Sequence, residues 1–320
     1  MTRLPEAPPQ ADTPEVVILL ALYNGARHLG AQLESFCAQT HARWSLLVSD
    51  DGSDDDGPRM IRDFAAGQAG RRHVQLIEGP RSGFAQNFLH LLRVAGPLPG
   101  IVALSDQDDV WLPEKLARGV AALAAVPEGV PALYCSHWYI CNADLSRRLM
   151  RRPFRRPPSF ANALVQNMAS GNSIMLNRAA LDLVQQASRE SAGIFCHDWW
   201  IYQMVAGAGG RVIYDPAPQV LYRQHGGNMI GANHTPLAGL VRLRMVLKGR
   251  YREWNARNVT ALMASRQRLT PENLARLTDF ARARSAGPAE RWRLLRRAGV
   301  YRQQMAGNLA FWIAAVLGRI

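Results

Sequence analysis

Cysteine is scarce in this 320-residue chain. Cys37, Cys135, Cys141 and Cys196 stand apart and form no Cys-x-x-Cys pair. Such spacing argues against a structural zinc site or a disulfide framework and fits a reducing compartment. Long hydrophobic runs are missing too. No stretch reaches the roughly 20 apolar residues needed to span a bilayer. Residues 1–15 hold prolines and acids without an apolar core, so no secretory signal is expected and the chain is expected in the cytoplasm. Acids are scarce in one region. Residues 1–235 carry 21 Lys/Arg and 21 Asp/Glu, whereas residues 236–320 carry 17 and 4. The net charge of +13 therefore belongs to the last quarter of the chain, where attraction to an anionic surface is confined. No nucleic-acid motif or aromatic platform accompanies that charge, so nucleic acid is not expected as a partner. Internal repeats and low-complexity linkers are absent.

The length and the 48% hydrophobic content suit an ordered protein with a sizeable core. Apolar runs at 16–22, 44–49, 73–77 and 101–104 read as buried strands. Helical spacing between them predicts helices over 26–38, 58–66 and 83–94, and Pro113 is expected to open a helix to about 125. This strand–helix alternation predicts a mostly parallel, Rossmann-like α/β sheet with helices on both faces. Further strands are expected at 132–140, 173–176, 211–215 and 220–223. A basic, proline-rich loop or hairpin is expected at 147–158, with helices over 178–186 and from His197 to about 206. From about 236 the sequence reads as Arg-rich helices broken at Thr270-Pro271 and Gly287-Pro288.

Two acidic clusters end two of the strands: Asp50-Asp51, and Asp106-Gln107-Asp108-Asp109. Acids at carboxyl ends face the crevice where open α/β sheets bind ligands. Asp50-Asp51 can also be read as an acidic cap of the next helix. The second cluster is denser. Its like charges repel, and a hard cation such as Mg²⁺ or Mn²⁺ would relieve that repulsion.

Six short motifs then occur in a telling order: Asn24-Gly25, Asp50-Asp51-Gly52-Ser53, Asn87, Asp106-Gln107-Asp108-Asp109-Val110-Trp111, His197-Asp198-Trp199-Trp200, and Arg223-Gln224-His225-Gly226-Gly227-Asn228. Over roughly residues 14–232 the chain resembles the family 2 glycosyltransferases with the GT-A fold, most closely the rhamnosyltransferase-like branch. The resemblance implies a GT-A domain over 14–235 followed by a basic helical extension over 236–320. It implies a nucleotide-sugar site bordered by Ala21, Tyr23 and Asn24, with Asp51 on N3–H of uracil or thymine and Asn87 near the ribose or diphosphate. Asp106 and Gln107 would complete that site, with Asp106 between ribose and metal. Asp108 would ligate a divalent cation, with His225 a candidate further ligand. Asp198 would be the general base, opposite the leaving group, so that transfer inverts the anomeric centre. Gly171 and Asn172 would face the acceptor with Trp199 and Trp200, although relatives often carry Cys or another small residue where Asn172 stands. Lys115 reads as structural.

The expected reaction is metal-dependent transfer of a sugar, with rhamnose from dTDP-rhamnose as the leading donor, to a saccharide acceptor in cell-surface polysaccharide synthesis. The acceptor is expected to be lipid-linked. A sugar-nucleotide nucleotidyltransferase is the first alternative, but such enzymes usually show a glycine-rich basic loop after the first strand. Here that place holds Tyr23-Asn24-Gly25-Ala26, with one glycine. A non-catalytic membrane-associated binding protein is the second alternative, and retention of Asp108, Asp198 and His225 together speaks against it. In the tail, Trp292 and Leu295 lie at helical spacing among Arg291, Arg293, Arg296 and Arg297, and Phe311 and Trp312 follow. A basic helix with aromatics of this kind suits an anionic membrane interface, so peripheral attachment to the inner leaflet is expected.

Overall fold

The computed structural model describes residues 13–95, 100–191, 193–224 and 250–320. Its first half alternates as the sequence suggests. The elements are β1 (Val16–Leu22), α1 (Ala26–Cys37), β2 (Trp44–Asp50), α2 (Gly57–Gln68), β3 (Val74–Glu78), α3 (Phe84–Val94), β4 (Ile101–Ser105), β5 (Val110–Trp111) and α4 (Lys115–Ala124). There follow β6 (Ala132–Cys141), β7 (Arg148–Met150), α5 (Phe160–Ala163), β8 (Met175–Leu176), α6 (Arg178–Glu190), α7 (His197–Gly207) and β9 (Arg211–Arg223). The described C-terminal helices are α8 (Arg250–Ala264), α9 (Pro271–Ala283), α10 (Pro288–Ala298) and α11 (Met305–Val316).

One sheet has the order β3-β2-β1-β4-β8-β6-β9-β5, with β7 paired to β6. β1 runs parallel to β2 and β4, and β6 runs parallel to β9. The short β8 is antiparallel to both β4 and β6, so those two strands point the same way. The carboxyl ends of β1, β2, β4, β6 and β9 therefore share one edge. Strand order reverses between β1 and β4, so the loops after these two strands lie where open α/β sheets bind ligands in a crevice.

The sheet is apolar on both faces because β1 alternates inside a continuous hydrophobic run. Val17 and Leu19 join one buried cluster, whereas Val16, Ile18 and Leu20 join the other. α1, α2 and α4 cover the second face with Leu29, Phe36, Ile61 and Leu116. α3, α6 and α7 cover the first, and the cluster continues without a break into the C-terminal helices through Leu262, Phe280, Leu295 and Phe311. The expected boundary at 235/236 lies outside the described residues.

Three local expectations change. The 173–176 strand is a 3-10 turn, Gly171–Ser173, followed by the two-residue β8. Residues 211–215 and 220–223 are one strand. Pro216 and Pro218 break its period, yet β9 bulges past them, with the register slipping between Ser136 and Trp138 of β6. The helix expected to open at Pro113 starts at Lys115, after a turn in which the Lys115 amide bonds Leu112 O.

Candidate active site

The crevice is built from side chains that brace one another's loops. After β1, Asn24 takes a left-handed conformation (φ 47°). Its side-chain oxygen accepts from the Asp54 amide, and its own amide donates to Ser53 Oγ. Asp55 accepts from the Ala26 amide at the start of α1 (2.8 Å) and from the Gly57 amide at the start of α2 (2.9 Å). Carboxylates suit both helix N-termini, where amides lack internal partners. Gln107 clasps the Tyr23 backbone in both directions, each bond 2.8 Å. The amide expected to touch donor thus fixes the lip of the crevice, and it leaves the Tyr23 ring exposed.

Asp51 is buried and accepts from the amides of Ser82 (3.3 Å) and Gly83 (2.7 Å), which precede α3. Asn87 corrects an expectation. It is buried, its Nδ2 donates to Ser49 O, and it ties α3 to β2 beneath the surface. A direct contact with ribose or diphosphate has no surface from which to come.

The acids after β4 divide by depth. Asp106 and Asp108 are half-buried and Asp109 is fully buried. Burial, then the charges of Asp108 and Asp198, push the Asp106 carboxyl up to about 8. The Asp198 charge thus reaches Asp106 although 92 residues separate them, and the adjacent Gly171 and Asn172 bond Asp198 and Asp109 respectively, which sets the acid of α7 beside the acid loop. Asp109 accepts from Asn172 Nδ2 and from the Arg223 amide (3.0 Å). Burial and the neighbouring Asp108 and Asp106 charges hold its carboxyl well above the ordinary range. Arg223 also donates to Asp108 O and Ala143 O, so the ends of β9 and β6 grip this loop. Lys115 lies under it, fully buried, with Nζ 3.6 Å from the Trp111 ring centre. Burial lowers the Lys115 amine to about 7, against the pull of Asp109.

Asp198 sits within the first turn of α7 rather than at its cap, which is Cys196. One carboxylate oxygen accepts from the Trp199 amide and the Cys196 thiol (2.9 Å), and the other accepts from the Gly171 amide (3.1 Å). Burial, reinforced by the Asp198 charge, pushes the thiol far up and keeps it a donor. Gly171 has no room for a Cβ, which would lie 2.9 Å from His197 Nε2.

Two further expectations are corrected. Asn172 is buried and its Nδ2 supports the acid loop through Asp109, while its Oδ1 has no partner among the described residues. Trp200 is wholly inside the core, and Trp199 is buried with Nε1 donating to Ala163 O. Neither ring offers an open face to a sugar. Gly171 is buried against Asp198, and Ala21 is half-buried at the end of β1. His225 lies outside the described residues.

Asp106 and Asp108 fit a hard divalent cation bound by one or two carboxylates together with substrate phosphates. Their mutual repulsion, visible in the raised Asp106 carboxyl, is what such a charge would relieve. Among the described residues, no group of three His, Cys, Asp or Glu side chains is arranged to hold an ion. The roles of Cys196 and Arg223 were not legible in the sequence. Arg223 borders the His225 motif, a faint signal, and Cys196 offers none beyond its place before His197-Asp198.

A family model described as glycosyl transferase family 2 matches residues 17–184, more than half of the chain. In sequence the chain is similar to dTDP-rhamnosyl transferase RfbG of Shigella flexneri, 24% identical over 244 residues, spanning 73% of this chain and 81% of that protein. It is also similar to the UDP-Glc:alpha-D-GlcNAc-diphosphoundecaprenol beta-1,3-glucosyltransferase WfgD of Escherichia coli, 25% identical over 169 residues, 52% of this chain and 62% of that one. Among solved structures, the mannosyltransferase PcManGT of Pyrobaculum calidifontis, in complex with GDP-Man and Mn²⁺, matches with a TM-score of 0.50 at 18% identity, over 93% of this chain and 89% of that one. GalNAc-T7 with UDP, GalNAc and Mn²⁺ matches with a TM-score of 0.56 at 12% identity, over 91% and 56%. These likenesses show the fold.

Proposed function

Because this chain belongs to glycosyl transferase family 2 and has the GT-A fold, we propose that it transfers a sugar from a nucleoside diphosphate to a saccharide hydroxyl with inversion. The observation that carries this reading is that neighbouring Gly171 and Asn172 bond Asp198 and Asp109, which sets the acid of α7 beside the acids that follow β4. Residues 14–235 would form the catalytic unit and 236–320 its helical extension.

Asp198 takes the proton of the acceptor hydroxyl as that oxygen bonds the anomeric carbon. The bond from that carbon to the phosphate oxygen breaks on the opposite face, and the nucleoside diphosphate leaves with the electron pair. A base on one face and a leaving group on the other give inversion, the logic of paired carboxylates in inverting glycosidases. Amides of Gly171 and Trp199 aim the Asp198 carboxylate. A divalent cation held by Asp106 and Asp108, with His225 a candidate third ligand, supplies charge neutralisation for the diphosphate. Tyr23 and Asn24 line the donor lip, and Asp51 is the partner for N3–H of the base.

The donor we favour is dTDP-rhamnose, supported by the likeness to RfbG, which is described as a dTDP-rhamnosyl transferase. The acceptor we favour is lipid-linked, supported by the likeness to WfgD, whose acceptor is a diphosphoundecaprenol sugar. A transfer assay with Mn²⁺ tests the mechanism. Asp198→Asn is expected to lower kcat by about 10²- to 10⁴-fold, the usual worth of a general base. Asp108→Ala is expected to lose about 10²-fold or more and to weaken the response to Mn²⁺. Turnover unchanged in both variants would remove the mechanism.

A further inference from the structure

α11 is apolar almost all round, a pattern that normally marks a fully buried helix. Yet only Phe311, Ala314 and Ala315 are buried. Met305, Leu309, Ile313, Val316 and Leu317 recur at helical spacing on the other side, and their exposure runs from 50% at Ile313 to 89% at Met305. Trp312, half-buried, borders this face and packs against the exposed Trp292 of α10, ring centres 4.5 Å apart. Two tryptophans at the edge of an apolar strip suit the boundary between hydrocarbon and headgroups.

The charges nearby are arginines. Arg297 is paired with Asp279, and Arg291 is used on backbone carbonyls of Ala283, Ala286 and Ala315. Arg293, Arg296 and Arg319 are exposed and make no ion pair among the described residues. Arg296 follows Trp292 by one helical turn. Only Lys115 and Lys248 of the 38 basic residues are lysine, so the tail presents guanidinium forks suited to phosphate. A second copy of the chain docked symmetrically on this face would set arginines against arginines, whereas an anionic leaflet complements both features. α11 has 12 residues, about 18 Å of helix, too short to span. No helix among the described residues is long and apolar enough to cross a membrane.

The same helix is anchored toward the acceptor side of the crevice. Tyr301–Gln303, the link between α10 and α11, is stitched to residues 156–168. Tyr301 bonds Ser159 and Pro157, Arg302 donates to Val165 O, and Gln303 bonds Arg156 and Gln166. That segment runs directly into Gly171, whose amide holds Asp198.

We infer that the outer face of α11, edged by Trp292 and Trp312, docks in the plane of an anionic phospholipid leaflet and holds the crevice toward it. This rests on the lipid-linked acceptor proposed above. The test uses the full chain and sedimentation with phosphatidylcholine vesicles, with and without phosphatidylglycerol. Wild type is expected to pellet with the anionic vesicles and to be released by salt. Leu309→Asp with Ile313→Asp is expected to weaken binding at least about tenfold. Arg293→Ser with Arg296→Ser is expected to weaken it about thirtyfold, at about 1 kcal/mol per basic residue near such a surface, on anionic vesicles only. All these positions are exposed, so the thermal midpoint should stay at the wild-type value, which separates lost docking from misfolding. Wild type that stays in the supernatant, or an aspartate variant that pellets like wild type, overturns the inference. So does a dimer in sedimentation velocity that the aspartates break, because the face would then belong to a second copy. Asp198→Asn should pellet like wild type. Docking with no transfer to a lipid-linked acceptor would overturn the acceptor reading alone.

Discussion

His197 shows what a single residue beside the site contributes. It is buried, stacks on Phe88 with ring centres 3.9 Å apart, and both ring nitrogens lack partners among the described residues. Burial lowers its imidazole from 6.5 to about 4, with Asp198 opposing. A buried imidazole with a depressed pKa stays neutral in the native state while the unfolded chain takes up the proton, so stability is full above about 6.5 and falls as pH drops toward 4. The loss amounts to about 3 kcal/mol. Denaturant melts between pH 7 and 4 should show the decline, and His197→Phe should flatten it. Cys196→Ala removes one donor from Asp198 and leaves the Trp199 and Gly171 amides. A loss of about 1 kcal/mol, or about fivefold in kcat at unchanged KM, is expected from steady-state rates. Sequence spacing picks residue types at strand ends but not the depth at which each sits. Asp106 and Asp109 look alike in the string, yet one borders the crevice and the other is sealed beneath it. Spacing likewise does not show that Asn87, Asn172 and Trp200 lie below the surface.

At the scale of elements, the bulge in β9 is what the sequence concealed. Two prolines within three residues read as a break, but the chain crosses them with two bulges, pairing Pro218 with His137 between them and regaining regular register at Val220. Asp215 closes the detour. It accepts from Arg118 of α4 (2.7 and 3.0 Å), Tyr134 of β6 (2.8 Å) and the Ala217 amide (2.9 Å). Asp215→Ala would leave the Arg118 guanidinium and Tyr134 hydroxyl short of their acceptor. A loss of about 3 kcal/mol is expected in chemical denaturation. Asp215→Asn, which keeps the shape, should lose less. The parallel half of the sheet was legible because β1 and β4 are uninterrupted apolar runs ending in turn residues and acids. β5 and β8, two residues each, carry no periodicity to read.

For the molecule as a whole, composition foretold a basic tail and left its attachment undetermined. Leu262, Leu277, Phe280, Leu295 and Phe311 belong to the same buried cluster as Leu19 and Trp200. Cutting the chain after Thr235 would bare that face of α6 and α7. The shortened protein is expected to aggregate or to melt well below the full chain in a thermal scan, and a cooperative melt at the wild-type midpoint would show instead that residues 14–235 fold alone. The Tyr301–Gln303 stitch has a consequence for substrate length. If α11 docks as inferred, the crevice would stand at one height above the leaflet. If the acceptor is lipid-linked as proposed, it would present its growing hydroxyl at that height only when it carries the matching number of sugars. The stitch would then work as a ruler, and slackening it would blur which chain lengths are extended.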